Sequence, residues 1–341
     1  MTGGRSRNQE AVTVLVTDYA WPGLEIEERV LGAVDGATVV AAKTGEESEL
    51  VALAPGVDAI LTCWQKVTPA VLRAAPRCRI VSRYGIGLDN IAVDVATELG
   101  MLVTNVPDFC LDEVSDHALA LLLASARRIV GFARMTRAGE WNSRAGRTLP
   151  RLRGQTLGLI GYGAIGRTLA PKAAALGLNV IAYTPRIAPD ALAPFGAATN
   201  DLDEVLRTAD YISIHAPLTA ETRGLIGERE LRLMKSTATL INTARGPIVD
   251  ETGLVRALTE GWIGGAAIDV LGQEPPDPSH PLLALENVIV TPHVAFASES
   301  AVADLRTRAA EHVAQVLRGE LPTNLVNPEV LTRPNCRVSP A

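Results

Sequence analysis

Three residues in the second half of the chain have types and spacing suited to proton transfer on a carboxylic acid. Arg245 lies in NTARGP, Glu274 in DVLGQEPP and His293 in TPHVA. Each follows a short apolar run that reads as a strand: Thr239–Asn242, Ala266–Asp269 and Val288–Thr291. An arginine can grip a carboxylate through two parallel hydrogen bonds. A histidine can give a proton to a carbonyl oxygen, or take one from a hydroxyl, near neutral pH. A carboxylate beside it orients the ring, stabilises its protonated form and so raises its pKa. Together they suit hydride transfer between a 2-oxo acid and a 2-hydroxy acid, with a cofactor carrying the hydride. Taken singly, Arg245 reads as a capping residue, His293 as structural and Glu274 as a solvated loop charge. Their shared place at strand ends, beside a dinucleotide turn, outweighs those plainer readings.

That turn lies in residues 156–186. Thr156–Ile160 reads as a buried strand, Gly161-Tyr162-Gly163-Ala164-Ile165-Gly166 follows, Arg167–Leu176 has helix composition, and Asn179–Tyr183 is a second apolar run. Strand, G-x-G-x-x-G, helix and strand within about thirty residues is the setting of a dinucleotide site. Gly161 permits the tight turn, Gly163 lets the backbone approach a pyrophosphate, and Gly166 lets helix and strand pack closely. The helix N-terminus offers free N–H groups to the phosphates.

The elements around these residues read as two βα alternations, hence two doubly wound parallel-sheet α/β domains. The first has strands at Val12–Thr17, Ala37–Ala41, Val57–Thr62, Arg79–Arg83 and Met101–Thr104, with helices such as Leu24–Leu31 and Pro69–Ala74. The second has six, at Thr156–Ile160, Asn179–Tyr183, Tyr211–Ile214, Thr239–Asn242, Ala266–Asp269 and Val288–Thr291. Asp112–Val130 reads as one long helix, apolar nearly all round and so buried between domains or at a subunit contact. Arg134–Arg153 reads as an irregular connection, Ser298–Arg318 as a long helix stopped by Gly319, and the tail from Leu331 as frayed.

A chain of 341 residues suits two domains better than one core. A net charge of −6 without a long basic run argues against nucleic acid. The longest apolar stretch, Ala118–Ala126, is too short to span a bilayer. The polar N-terminus lacks the apolar region of a signal peptide, so a cytoplasmic location is expected. Cys63, Cys78, Cys110 and Cys336 are scattered and read as small residues in a reducing compartment, not as a disulfide or zinc set. His117 reads as a packed or interdomain residue, and His280 and His312 as loop and helix-surface residues. His215, at a strand end in ISIHAPLTAET, suits a cofactor contact. No metal motif fits Glu113, Asp116 and His117, so no metal is expected.

These residues together resemble the D-isomer-specific 2-hydroxyacid dehydrogenase family over about residues 55–330. The marks are RYGIGLDNI, VPDFCLDEVSDHALALLLA, GYGAIG, HAPLTAET, INTARGPIVDE, AAIDVLGQEPP and TPHVA. The resemblance implies that Arg245, Glu274 and His293 are the catalytic trio. It implies that the amides around Ile86 and Gly87 bind the substrate carboxylate and that Asp269 holds the nicotinamide carboxamide. It places Ala164, Ile165, Pro217, Thr222 and Thr243 along the cofactor with the glycines. It further implies a flavodoxin-like substrate domain from both chain ends (1–113 and 296–335), clasping an inserted Rossmann cofactor domain (114–295), with 336–341 as a tail. The long helices would cross between domains, hinge closure would exclude water, and a homodimer would join mostly through the cofactor domain.

Departures from the family pattern narrow these expectations. Where the second cofactor strand usually ends in an acidic residue, this chain has Thr184, then Pro185 and Arg186. That carboxylate would bind the ribose hydroxyls of NAD and repel a 2′-phosphate, so either NAD or NADP fits, with a lean to NADP. Glu274 argues against formate dehydrogenase, and Ile86 against phosphite dehydrogenase. The loop Thr62–Lys66 should face the substrate side chain. Its Trp64 is either a pocket wall or core, and with a single Lys66 it weakens a phosphoglycerate substrate. The chain ends soon after VNPEV, so no C-terminal regulatory domain is expected. Two alternatives remain: a dinucleotide-sensing regulator resembling the C-terminal-binding corepressors, and a reductase specialised for a phosphono or aromatic 2-oxo acid.

Overall fold

Short runs of β-branched and small apolar residues form twelve strands among the described residues of this computed structural model, which are 11–142, 149–185 and 192–338. The chain divides into two compact units: Met1–Phe109 with Ser298–Ala341, and Cys110–Ala297.

In the first unit, β1 (Val12–Val16), β2 (Ala37–Ala41), β3 (Ala59–Thr62), β4 (Ile80–Arg83) and β5 (Leu102–Thr104) pair in parallel in the order β2-β1-β3-β4-β5. That order is the flavodoxin-like one. Every residue of β3, β4 and β5 is buried, as expected when both faces of a parallel sheet are covered. Helix Glu299–Leu317 packs on β3, β4 and helix Glu25–Leu31. Its N-cap is Ser298, whose Oγ accepts the Ala301 N–H at 2.9 Å. Its Arg306 donates to both carboxylate oxygens of buried Glu27, at 3.0 and 2.7 Å, and stacks 4.9 Å from the Trp21 ring centre. Leaving one partner of such a buried pair alone costs about 3–5 kcal/mol.

Two expectations for this unit need correction. His312, expected on a helix surface, is buried, with Nε2 bonded to Thr323 Oγ1 at 3.1 Å. The segment after Leu331, expected to fray, is docked through Val338. Arg337 donates to the carbonyls of Ala75 and Cys78, and Asn335 to that of Glu98.

In the second unit, β6 (Thr156–Ile160), β7 (Asn179–Tyr183), β8 (Gly196–Thr199), β9 (Tyr211–Ile214), β10 (Thr239–Asn242), β11 (Gly265–Ile268) and β12 (Val288–Val290) form an all-parallel sheet ordered β12-β11-β10-β9-β6-β7-β8. The sheet has seven strands where six were expected. The extra edge strand, GAAT, carries no large apolar side chain. Gly196 is needed there, because a Cβ on it would lie 1.8 Å from the Val180 carbonyl oxygen.

The long helix expected over Asp112–Val130 is two helices, Leu111–Ala126 and Ile129–Arg137. Arg128 between them has φ +52, a left-handed conformation that ends the first helix. The second helix also occupies residues expected to be irregular. Leu111–Ala126 buries Val114, Ala118, Leu121, Leu122 and Ala126 within this unit, in one core with Leu157, Leu159 and Ile241.

Candidate active site

In a doubly wound sheet, ligands bind outside the carboxyl ends of the strands where the strand order reverses. In the second unit the reversal falls between β6 and β9. Gly161 ends β6 with φ +99, and a Cβ on it would lie 2.8 Å from His215 C and Ala216 N at the end of β9. A Cβ on Gly166 would lie 2.7 Å from the Gly161 carbonyl oxygen, so helix Ala164–Ala175 crosses the turn closely. A Cβ on Gly163 would instead have nothing within 4 Å. The turn therefore presents bare backbone at Gly163 just before the N–H groups of Ala164 and Ile165 at the helix start, a cradle that fits a pyrophosphate.

Two buried polar atoms beside it fit the same ligand. Thr243 Oγ1, just past β10, and His215 Nδ1 have no hydrogen-bond partner among the described residues. His215 Nε2 pairs with Ser213 Oγ at 2.9 Å, and burial holds the ring's pKa down to about 4. It is a neutral ring at physiological pH. The Thr222 hydroxyl donates to the Pro217 carbonyl at 2.6 Å, which folds the loop after β9 back on itself. Thr184 ends β7, buried, with its N–H on the Thr199 carbonyl at 3.0 Å. Arg186 lies outside the described residues.

Arg245, Glu274 and His293 follow β10, β11 and β12, three adjacent strands. His293 Nδ1 lies 2.6 Å from Glu274 Oε2. An ionised carboxylate only accepts, so Nδ1 carries the proton and Nε2 is the end left to serve a substrate. Glu274 Oε1 accepts the Leu271 N–H at 2.8 Å. Burial alone would raise the Glu274 carboxyl. The bond and charge of His293, the Leu271 N–H and the charge of Arg245 outweigh it and hold the carboxyl below its usual range. The turn bearing Arg245 touches the turn bearing Glu274 at Gly246, where a Cβ would lie 2.1 Å from the Leu271 carbonyl carbon.

The sequence reading missed two supports of this arrangement. Glu251 Oε1 accepts the Gly272 N–H and so steadies the Glu274 loop. His117 reaches from helix Leu111–Ala126 to Thr291 Oγ1 at 3.0 Å, and that hydroxyl donates to Asp269 Oδ1. Both pairs join residues far apart in sequence, which local patterning does not show. A groove of 1210 Å³ among the described residues of this unit lies elsewhere, at the amino ends of β9–β12 beside Val130 and Met135.

In the first unit, Ile86 and Gly87 lie in the loop after β4, and Trp64 in the loop after β3. Trp64 is 42% exposed, so it is not core. Asp18 holds its loop, accepting the N–H groups of Cys63 at 3.0 Å and Trp64 at 2.7 Å. Burial pushes the thiols of Cys63 and Cys110 up to about 12, which leaves them inert at neutral pH. Among the described residues no group of three His, Cys, Asp or Glu could hold a metal ion, and no helix is long and apolar enough to cross a membrane.

A glycine turn at a topological switch point, with a His–Glu pair and an arginine at neighbouring strand ends, is an arrangement that suits a dinucleotide-dependent oxidoreductase. Residues 119–295 match the family described as D-isomer specific 2-hydroxyacid dehydrogenase, NAD binding domain. Glyoxylate reductase of Thermococcus litoralis is 42% identical over 283 residues, 81% of this chain and 85% of that protein. D-3-phosphoglycerate dehydrogenase of Methanocaldococcus jannaschii is 39% identical over 318 residues, 93% of this chain and 59% of that protein. D-lactate dehydrogenase of Aquifex aeolicus, solved with NAD and lactic acid, superposes with a TM-score of 0.83 at 27% identity, covering 92% of this chain and 98% of that one. The chain belongs to the D-isomer-specific 2-hydroxyacid dehydrogenase family and is an NAD-binding oxidoreductase.

Proposed function

We propose that the protein reduces a small 2-oxo acid, glyoxylate foremost, to the 2-hydroxy acid, with Arg245, Glu274 and His293 as its catalytic residues. The observation that carries this reading is the 2.6 Å contact between His293 Nδ1 and Glu274 Oε2 at the ends of β12 and β11. The nicotinamide of a dinucleotide bound at the glycine turn would supply the hydride for C2. His293 Nε2 delivers the proton to the carbonyl oxygen, and Glu274 stabilises the ring in its charged form. Arg245 takes the substrate carboxylate in two parallel hydrogen bonds. The N–H groups of Ile86 and Gly87 are donors for the same chemical group. The glyoxylate reductase relatives favour a small substituent over phosphono or aromatic ones, and Trp64 is the residue assigned to meet it in this reading.

The dinucleotide is held by Gly161, Gly163, Ala164, Ile165 and Gly166 at its phosphates, and by His215, Pro217, Thr222, Thr243 and Asp269 along the rest. Thr184 at the end of β7 brings no carboxylate to repel a 2′-phosphate, so NADPH is the preferred donor in this reading, with Arg186 as its partner. A cytoplasmic homodimer completes the proposal. Ile129 and Val130, 55% and 50% exposed on a helix with no buried residue, are apolar surface that a second copy would cover.

The test is loss of NADPH absorbance, and separately of NADH absorbance, against 2-oxo acids from glyoxylate and hydroxypyruvate to branched, aromatic and phosphono acids. Fast turnover of glyoxylate supports the reading. Tight cofactor binding without turnover of any acid contradicts it and favours a sensing role.

A further inference from the structure

The loop Tyr84–Gly87 has every carbonyl engaged on the protein side. Tyr84 O and Gly87 O accept from the buried Arg83 guanidinium, the latter from Nε at 3.1 Å. Gly85 O accepts the Val106 N–H at 3.1 Å. Ile86 O accepts from Asn105 Nδ2 at 2.7 Å. The peptides of this loop are trans. In a trans peptide the N–H points opposite to the C=O of the same plane. The Gly85 carbonyl aims at Val106, so the Ile86 N–H points away from it. The Ile86 carbonyl aims at Asn105, so the Gly87 N–H points away as well. Two successive N–H groups thus face the same side, away from residues 105 and 106, and no described residue accepts from them. Two amides turned to one side can receive an anion.

We infer that Asn105, locked by Asn324, is a positioning residue that aims the Ile86 and Gly87 amides at the substrate carboxylate. This rests on the proposed reading that those amides bind that carboxylate. Asn105 is 8% exposed, so water does not replace its bond to Ile86 O when the side chain is removed. Its rotamer is set from the far side. Asn105 Oδ1 accepts from Asn324 Nδ2 at 2.5 Å, and the same Nδ2 donates to the Asn105 carbonyl at 3.1 Å. With the oxygen committed to Asn324, the Asn105 NH2 can only face the loop. Arg83 grips the two outer carbonyls, the Val106 N–H holds that of Gly85 and Asn105 that of Ile86, so Asn105 is the side chain that sets the tilt of the Ile86–Gly87 plane.

The decisive experiment is steady-state kinetics of the full chain with glyoxylate, for wild type, Asn105→Ala and Asn324→Ala, beside cofactor binding and thermal melting of each. Asn105→Ala should raise KM for glyoxylate about tenfold, while kcat and the NADPH dissociation constant stay within about twofold. Asn324→Ala should shift KM the same way by about threefold, since it frees the rotamer without deleting the donor. It also decides the matter if Asn105→Ala does not fold. Unchanged KM in a folded variant overturns the inference, as does a fall in kcat parallel to a fall in melting temperature, the mark of a merely structural role. Absence of glyoxylate turnover in the wild type would instead count against the proposed reaction.

Discussion

Asp269 holds His293 by its main chain and shapes the turn beyond it by its side chain. The Asp269 carbonyl accepts the His293 N–H at 2.8 Å. Its carboxylate accepts the next two, Val294 at 3.0 Å and Ala295 at 2.8 Å. His293 needs that support, because its φ of +53 lies in a region that costs a non-glycine residue roughly 1–2 kcal/mol. Asp269 fixes the direction in which the imidazole leaves the chain.

Asp269→Ala should consequently lower kcat by about tenfold or more, through loss of imidazole alignment. Steady-state rates beside melting curves measure this. A wild-type kcat in the folded variant would show that the turn holds its shape without the carboxylate.

Arg245→Ala should chiefly damage recognition of the 2-oxo acid. A raised KM and a loss of about a hundredfold or more in kcat/KM are expected, because a bidentate charged contact disappears. Arg245→Lys should recover only part, since an ammonium cannot reproduce the fork. Unchanged catalytic efficiency in Arg245→Ala would remove it from the site.

Burial, with help from the Arg308 charge, holds the His312 ring down at about 4, against an ordinary value of 6.5. Between those two values the unfolded chain binds a proton that the folded chain does not. Stability from this group is fully present above pH 6.5 and is lost as pH falls toward 4. Denaturant unfolding at pH 7 and pH 5 should show wild type losing stability by up to about 1.4 kcal/mol per pH unit more than His312→Gln. Equal pH slopes would show that the ring is charged where it lies.

The parts of the candidate site were legible in the sequence to the extent that they are local. Arg245, Glu274 and His293 follow short apolar strands, and Gly161 and Gly166 sit against backbone that a side chain would strike, while Gly163 faces open space. The missed features depend on distant partners or on backbone angles. The GAAT strand is visible only through Val180, whose carbonyl excludes any side chain at Gly196. The helix break at Arg128 carries no Gly or Pro to announce it. His312 looks exposed in RAAEHVAQ but is buried, with Nε2 bonded to Thr323 Oγ1. The Asn105–Asn324 pair spans 219 residues, beyond the reach of any local pattern.

Thr184→Asp would restore a carboxylate at the end of β7. The ratio of catalytic efficiency with NADH to that with NADPH should rise by about tenfold or more, because the carboxylate binds ribose hydroxyls and repels a 2′-phosphate. An unchanged ratio would mean that cofactor choice is made elsewhere than at this strand end.

His293→Gln tests the account at its centre, measured as kcat with saturating glyoxylate and reduced cofactor alongside the cofactor dissociation constant. The glycine turn follows β6 and the imidazole follows β12, with three strands between them, so most of the cofactor binding should persist. Turnover should fall by about a hundredfold or more, because the proton donor to the carbonyl oxygen is gone. A wild-type turnover number in this variant would contradict the assignment of His293 and Glu274 as the acid–base pair.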